Sequence, residues 1–181
     1  MGNSLRIIGG EWRRRVLRFP DAEGLRPTPD RVRETLFNWL GQDLSGKSCL
    51  DLFAGSGALG FEAASRGAAQ VVIVDRAPRV VAALEANARA LGADARLRIA
   101  RADAVEFASA QRAAGTRFDV VFLDPPYEKG WLDRVAPLVT DLLAPDGALY
   151  VEAERPLERC GDWQTVKSGR AGQVYYHLMR K

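Results

Sequence analysis

The sequence predicts an α/β protein built on a doubly wound, mostly parallel sheet of seven strands. Two observations support this prediction: five short apolar runs recur from residue 48 onward, and helix-length segments rich in alanine separate them. The runs are "SCLDLF" (48–53), "QVVIVD" (70–75), "ARLRIA" (95–100), "FDVVFLD" (118–124) and "GALYVEAE" (147–154). Strands and helices that alternate at this spacing form βαβ units, in which helices cover both faces of a parallel sheet.

Three of the strands are assigned places in the sheet by their patterns. Arg96 and Arg98 alternate with apolar residues in the third run, which is typical of an edge strand. The last stretch, residues 163–181, contains two strand patterns joined by "SGRAG". This arrangement predicts an antiparallel C-terminal hairpin that completes the sheet.

Residues 1–40 predict a small N-terminal extension, and residues 41–181 predict the sheet domain. The extension opens with two short strand patterns around Gly9-Gly10, which indicate a hairpin. A connector rich in proline and glycine leads to a helix pattern in "TPDRVRETLFNWL" (28–40). The residues expected to face the core from this helix are Val32, Leu36, Trp39 and Leu40.

The start of this helix carries the usual signals. Thr28 is expected to cap it, Pro29 fits the first turn, and Asp30 complements the helix dipole.

Charge is unevenly distributed along the chain. The net charge is only +3, yet residues 1–33 hold eight arginines and four acidic residues, a balance of +4, and the other 148 residues carry −1. A basic arm on a nearly neutral body predicts a polyanionic partner at one end. Arg13, Arg14 and Arg15 lie beside Trp12, so positive charge and a stacking surface together favour RNA.

Other classes of protein are disfavoured. No apolar run approaches the roughly 18 residues that a membrane span needs. Cys49 and Cys160 form neither a metal-binding spacing nor a disulfide framework. We therefore expect a cytoplasmic protein with no membrane partner and no metal site.

One glycine-rich segment is a coincidental match. "GQDLSGKS" (41–48) fits the phosphate-loop pattern letter for letter. That loop requires a strand before it and a helix after it, and here the predicted order is reversed. We interpret the segment as a helix-to-strand connection.

A second glycine-rich segment, "DLFAGSGALG" (51–60), has the required order. It places Gly55 and Gly57 between a strand and a helix, and Asp75 ends the next strand twenty residues after Gly55. This is the pattern of a dinucleotide-binding loop, so an NAD-dependent oxidoreductase is one interpretation.

Asp51 favours a different ligand for this loop. It ends the strand four residues before Gly55, and a carboxylate ~4 Å from a pyrophosphate charge would cost roughly 4 kcal/mol. S-adenosylmethionine carries an ammonium and a sulfonium group instead, and its ribose hydroxyls suit Asp75. Asp103 follows the third strand at the same sheet edge, where it either caps the next helix or reaches an adenine amino group.

The stretch "DVVFLDPPYEK" (119–129) ends the fourth strand in a carboxylate, two prolines and an aromatic ring. An exocyclic base amine is a poor nucleophile because its lone pair is delocalised into the ring. The Asp124 carboxylate and the Pro125 carbonyl can hold its two N–H groups, and Tyr127 can stack on the base. The pattern predicts methylation of an amino nitrogen, with orientation as the main source of acceleration.

These motifs carry a resemblance to a known family. "DPPY" and "DLFAGSG" resemble class I S-adenosylmethionine-dependent methyltransferases that act on amino nitrogens. "RIIGGEWRRR…LRPTPDRVRETLFNWL" is similar to the bacterial 16S ribosomal RNA guanine-N2 methyltransferases of the RsmD family. The resemblance runs from about Leu5 to the C-terminus and is most specific at residues 26–40, 49–67 and 123–127.

The resemblance implies a Rossmann-like fold, a monomer, and 16S ribosomal RNA in an assembling small subunit as the partner. The residues implied in cofactor binding are Asp51, Phe53, Gly55, Gly57, Asp75, Arg76, Asp103 and Ala104. The implied catalytic loop is Asp124, Pro125, Pro126 and Tyr127. The residues implied in RNA binding are Arg13, Arg14, Arg15, Arg26 and Arg33, with the last two at the mouth of the site.

Several alternatives stay open at this point. The same loop serves other planar amines, including DNA or RNA adenine, protein glutamine and small molecules. A module that binds the cofactor without catalysis is a further possibility, which the intact segment 124–127 disfavours. The oxidoreductase is the least favoured alternative.

Overall fold

The computed structural model describes residues 2–127 and 129–181. Its strands are β1 (Asn3–Arg6), β2 (Val16–Phe19), β3 (Ser48–Asp51), β4 (Gln70–Asp75), β5 (Leu97–Arg101), β6 (Phe118–Leu123), β7 (Leu143–Ala153), β8 (Arg159–Cys160), β9 (Trp163–Ala171) and β10 (Val174–Arg180). Its α-helices are α1 (Asp30–Leu40), α2 (Ala58–Ser65), α3 (Pro78–Leu91), α4 (Ala104–Ala113) and α5 (Trp131–Val139). A short 3₁₀ helix, Thr140–Leu142, precedes β7.

The main sheet has the order β5-β4-β3-β6-β7-β10-β9-β8. The first five strands are parallel, and β10, β9 and β8 add antiparallel pairs at one side. The predicted doubly wound sheet, its edge strand β5 and its C-terminal hairpin are confirmed. The strand count is eight rather than seven, because the two-residue strand β8 is too short to leave a periodic pattern.

The sheet separates two apolar layers. Helices α1, α2 and α3 pack on one face, with Phe37 of α1 lying 6.1 Å from Phe122 of β6 between ring centroids. Helices α4 and α5 pack on the other, around residues such as Val135 and Leu149 that are fully buried. From β3 the chain continues to β4 and β5 on one side of the sheet, and from β6 to β7 on the other. The strand order therefore reverses between β3 and β6, and ligands are expected at the carboxyl ends of these two strands.

The N-terminal extension shares the core of the sheet domain. Strands β1 and β2 pair in a separate antiparallel ribbon, while Ile7, Trp12 and Leu17 belong to the same apolar cluster as α2 and α3. Trp12 is only 5% exposed, and its ring meets Phe61 edge-on at 6.5 Å. The prediction that Trp12 offers a stacking surface to RNA is therefore wrong, because the hairpin uses this ring to dock on α2.

The start of α1 also differs from the prediction. Pro29 occupies the capping position without a side-chain hydrogen bond, so Thr28 does not cap the helix. Its hydroxyl is buried and donates to Glu152 on β7 at 3.0 Å. Thr28 thus links the connector to the sheet edge.

The segment 41–48 connects α1 to β3, as expected for a coincidental phosphate-loop match. Cys49 and Cys160 are free and buried, and burial raises the pKa of the Cys49 thiol to about 12. Within the part of the chain that the structure describes, no helix is long and apolar enough to cross a membrane. The same residues contain no metal-like group of three or more His, Cys, Asp or Glu side chains.

Candidate active site

Five carboxyl groups gather at the carboxyl ends of the parallel strands. Asp51 ends β3, Asp75 ends β4, Asp103 follows β5, Asp124 follows β6, and Glu152 lies near the end of β7. Among the ion pairs formed within residues 2–127 and 129–181, none includes any of these carboxylates. An edge lined in this way attracts a cationic ligand and repels a pyrophosphate.

Two of these carboxylates fasten the glycine loop. Asp75 Oδ2 accepts a hydrogen bond from the Gly55 amide at 3.1 Å, and Asp51 Oδ2 accepts one from the Gly60 amide at 3.0 Å. The loop backbone is therefore held from both β3 and β4 at the place where β3 meets α2.

The glycines of this loop are required by close packing. Gly57 adopts φ +81°, and a Cβ there would lie 2.6 Å from Phe61 Cδ2 and 2.7 Å from Leu84 Cδ2. A Cβ at Gly60 would lie 2.6 Å from Ile73 Cγ1. Only glycine allows α2 to begin this close to the sheet.

Asp51 is the most deeply placed of the loop carboxyls, with 2% of its surface exposed. Burial raises its pKa to about 7, and the charges of Asp75 and Glu152 add to that effect, while the amides of Gly60 and Phe53 oppose it. A positively charged ligand beside it would favour its ionised form. The group therefore fits the ammonium end of S-adenosylmethionine.

Asp103 caps helix α4. Its Oδ1 accepts hydrogen bonds from the amides of Val105 at 2.9 Å and Glu106 at 3.2 Å. Of the two readings of this residue, the helix cap is confirmed, and contact of Asp103 or the buried Ala104 with adenine stays a prediction.

Phe53 and Arg76 both lie against Trp131, a residue that the sequence analysis did not identify. The Phe53 ring lies 5.6 Å from the Trp131 ring, and the Arg76 guanidinium lies 5.3 Å from the Trp131 centroid. Trp131 begins α5 four residues after Tyr127, the last residue of the predicted catalytic loop, and is 6% exposed. An aromatic residue soon after "DPPY" could have indicated Trp131, but the sequence does not distinguish such a residue from one in the apolar core.

The predicted catalytic loop lies on the same edge. Pro125 is buried, whereas Asp124, Pro126 and Tyr127 keep partly exposed surface. The pKa of Tyr127 is raised by burial and then by the negative charge of Asp124, and the positive charge of Arg26 opposes this. The charges of Asp124 and Arg26 therefore both affect Tyr127, and contact of Arg26 with RNA at the mouth of the site stays a prediction.

Glu152 is a second group that sequence reasoning missed. Parallel pairing of Leu123 with Val151 brings the next residues, Asp124 and Glu152, side by side. The pKa of Asp124 is raised well above its usual range by burial, then by the charge of Glu152 and a hydrogen bond with it. The alternation in "LYVEAE" predicted a strand but could not show which partner strand would bring its acid beside Asp124.

The connector between β2 and α1 crosses both loops. A Cβ at Gly55 would lie 3.6 Å from Leu25 Cγ, and one at Gly24 would lie 3.9 Å from Pro126 Cβ. Leu25 and Gly24 thus form a wall of the site, and the exposed Arg26 follows them.

The predicted RNA-binding arginines divide into two groups. Arg13, Arg14 and Arg15 are exposed in the hairpin loop, and Arg15 Nη2 donates to the Ala90 carbonyl of α3 at 2.6 Å. Arg33 is fully buried, and its Nη1 lies 3.2 Å from Glu62 Oε2. The prediction that Arg33 binds RNA at the mouth of the site is wrong, because its position on α1 faces α2 instead of solvent.

Comparison with known proteins decides the family. A family model described as "Conserved hypothetical protein 95" matches residues 5–180, and "Ribosomal RNA small subunit methyltransferase D" of Escherichia coli is 42% identical over 98% of this chain and 90% of its own length. The chain belongs to the RsmD family.

Two further relatives support the membership in the RsmD family. "Ribosomal RNA small subunit methyltransferase D" of Haemophilus influenzae is 40% identical over 96% of this chain and 92% of its own length. The solved structure described as "Putative methyltransferase yhhF from Escherichia coli" has a TM-score of 0.85 and 42% identity, and each chain is covered to 99%. The RsmD-family fold therefore extends over the whole chain, extension included.

Proposed function

We propose that this RsmD-family protein transfers a methyl group from S-adenosylmethionine to the exocyclic N2 amine of a guanine in 16S ribosomal RNA. The observation that carries the proposal is the position of Asp124–Tyr127 at the end of β6, directly beside the glycine loop at the end of β3. Relatives named as small-subunit ribosomal RNA methyltransferases support the cofactor and the substrate class.

The acidic edge fits S-adenosylmethionine better than a dinucleotide. Asp51 would hold its amino-acid end together with the backbone of Gly55 and Gly57, Asp75 its ribose, and Asp103 with Ala104 its adenine. Phe53 and Arg76 border the same region through Trp131. A pyrophosphate would face the unpaired carboxylates, which argues against the oxidoreductase.

Orientation of the amine is the main task of the catalytic loop. Asp124 and the Pro125 carbonyl each accept one N–H, so that the nitrogen lone pair is turned away from the ring system. Pro125 and Pro126 fix the backbone that presents the carbonyl. Tyr127 stacks on the base, which must be unpaired or flipped out because guanine N2 lies in the minor groove of a duplex.

Held by Asp51, Asp75 and the glycine loop, S-adenosylmethionine would supply an electrophilic methyl group, and its positively charged sulfur would keep the electron pair of the broken bond. The amine is then positively charged and must release one proton. Asp124 is the group placed to receive it.

The extension supplies the RNA side. Arg13, Arg14 and Arg15 form an exposed cluster that would bind phosphates, and Arg26 would contact RNA beside Tyr127. We propose that residues 1–40 recognise the RNA and residues 41–181 carry out the transfer. We also propose that the protein acts as a cytoplasmic monomer on an assembling small subunit.

The test is methyl transfer from labelled S-adenosylmethionine to small ribosomal subunits, naked 16S RNA, transfer RNA, DNA and a protein extract. The product is digested and the labelled nucleoside identified, and Asp124→Ala is assayed in parallel as the inactive control. We expect label in N2-methylguanosine from 16S RNA, with the subunit as the better substrate. Label in N6-methyladenosine or in protein would overturn the substrate, and NAD in place of S-adenosylmethionine as the stabilising ligand would overturn the cofactor.

A further inference from the structure

Glu152 is the centre of a buried hydrogen-bond network behind the catalytic loop. It is 6% exposed, and its Oε1 accepts hydrogen bonds from Thr28 Oγ1 at 3.0 Å and from the Tyr150 hydroxyl at 2.7 Å. Thr28 is itself held by Arg33, whose Nε donates to the Thr28 carbonyl at 3.1 Å. The side chain is therefore fixed from the connector, from β7 and, through Arg33, from α1.

Two hydroxyl groups donate hydrogen bonds to Glu152. Both donate to the same oxygen, and donors of this kind stabilise a carboxylate relative to a carboxylic acid. Asp124 lies beside Glu152 in the register of β6 with β7, and burial and the charge of Glu152 raise the pKa of Asp124. Two ionised carboxylates in contact would repel each other, so the pair must hold one proton between them. The donors on Glu152 place that proton on Asp124.

We propose that Glu152 is a positioning residue that remains ionised and accepts a hydrogen bond from a protonated Asp124. This fixes the Asp124 carboxyl plane and leaves its second oxygen as a neutral acceptor for the substrate amine. The inference rests on the proposed amino methylation and assigns it a residue outside the catalytic loop.

The network also provides a route for the proton that the reaction releases. The nitrogen lone pair forms the bond to the methyl carbon, and the methylated amine then gives one proton to the free oxygen of Asp124. The proton that Asp124 already carries moves to Glu152, so that one proton is lost by nitrogen and one is gained by the carboxyl pair. The pair later returns a proton to water.

Other titratable groups face the pair from several elements. The charge of Asp51, at the end of β3, raises the pKa of Asp124, while Tyr127 lies on the catalytic loop and Tyr150 on β7. From β10, Tyr176 contributes to raising the pKa of Tyr150. Burial raises the pKa of Asp51 to about 7, so an Asp51→Asn background is used to remove its carboxyl band at neutral pH.

The first test is infrared spectroscopy of the protein without cofactor or RNA, in the Asp51→Asn background at neutral pH. We expect a carbonyl stretch of a protonated carboxyl group that is absent in Asp124→Asn and also absent in Glu152→Gln, because a Gln amide donates to Asp124 and lets it ionise. The exposed Glu158→Gln is the matched control and should keep the band. A band that persists unchanged in Glu152→Gln would overturn the proposal.

A second measurement covers the case in which Glu152→Gln does not fold. Because the pKa of Asp124 is raised, its contribution to stability is lost as pH rises, and Asp124→Asn should remove that loss. Thermal unfolding measured from about pH 4, the ordinary carboxyl pKa, upward gives this difference. The same decline with rising pH in Asp124→Asn and wild type would overturn the assignment of the proton to Asp124.

Kinetics then separate positioning from simple structural support. Glu152→Gln should lower kcat by about a hundredfold, while KM for RNA and for S-adenosylmethionine stays within about threefold. A rise in KM with unchanged kcat would overturn the positioning role. The infrared and thermal-unfolding tests use neither RNA nor S-adenosylmethionine. A wild-type protein without methyltransferase activity would therefore refute the proposed function, while these two tests would still decide the proposal on Glu152.

Discussion

Arg33 and Glu62 form an ion pair between α1 and α2, with Nη1 and Oε2 3.2 Å apart and neither side chain exposed to solvent. Glu62 also accepts hydrogen bonds from the amides of Ile8 at 3.0 Å and Gly9 at 2.8 Å, and pairs with Arg66 at 3.1 Å. One carboxylate therefore fastens the extension to the helix that leaves the glycine loop. The parts of the chain proposed to bind RNA and the cofactor meet at this group.

Replacing Arg33 by Met should destabilise the fold strongly. The change leaves Glu62 without one of its cations in a buried position, which typically costs about 3–5 kcal/mol. The free energy of unfolding in urea measures the loss. Arg96→Met is the matched control, because its pairs with Asp94 and Glu11 are exposed to solvent and should contribute little. Equal losses in the two variants would contradict the role assigned to the buried pair.

The glycine loop provides a second matched comparison. Gly57 and Gly92 both adopt left-handed backbone conformations, with φ +81° and +67°, but only Gly57 would clash on gaining a Cβ. Gly92→Ala should cost about 1 kcal/mol from backbone strain alone. Gly57→Ala should cost about 1–3 kcal/mol more from overpacking against Phe61 and Leu84, and should weaken S-adenosylmethionine binding. Urea unfolding and calorimetric titration measure both effects, and similar behaviour of the two variants would contradict this account.

The sequence predicted the parallel sheet and the loops at its edge because both depend on local patterns. Apolar runs and glycine spacing identified β3 and the loop after it, and "DPPY" identified the end of β6. Glu152, Trp131 and the wall formed by Leu25 could not be predicted, since each depends on which elements become neighbours in space. Trp12 was assigned to RNA from its residue type and Arg33 from the family resemblance, and both assignments were wrong because neither kind of signal shows which face of an element is buried.

Asp51 should make the stability of the fold depend on pH. Because its pKa is raised to about 7, the folded protein keeps a proton that the unfolded chain has already released. Its contribution to the free energy of unfolding is therefore greatest below the ordinary carboxyl pKa and is lost as pH rises toward about 7. Asp51→Asn should reduce the decline in stability between about pH 4 and about pH 8, measured by urea unfolding across that range. The exposed Asp146→Asn should leave the slope as in the wild type, and a slope unaltered by Asp51→Asn would show that Asp51 is ionised throughout.

Neutralising the hairpin arginines should weaken RNA binding and flatten its salt dependence. Arg13, Arg14 and Arg15 are exposed together, and each phosphate contact contributes about 0.7–0.9 to the slope of log affinity against log salt. Their triple replacement by Gln should reduce the slope by up to about 2–3, as measured by filter binding at several salt concentrations. The matched control replaces three exposed arginines elsewhere on the surface, Arg112, Arg117 and Arg159. If the RNA lies along the hairpin, the control variant should keep the wild-type slope. Equal slopes for both triple variants would instead place the RNA on another surface.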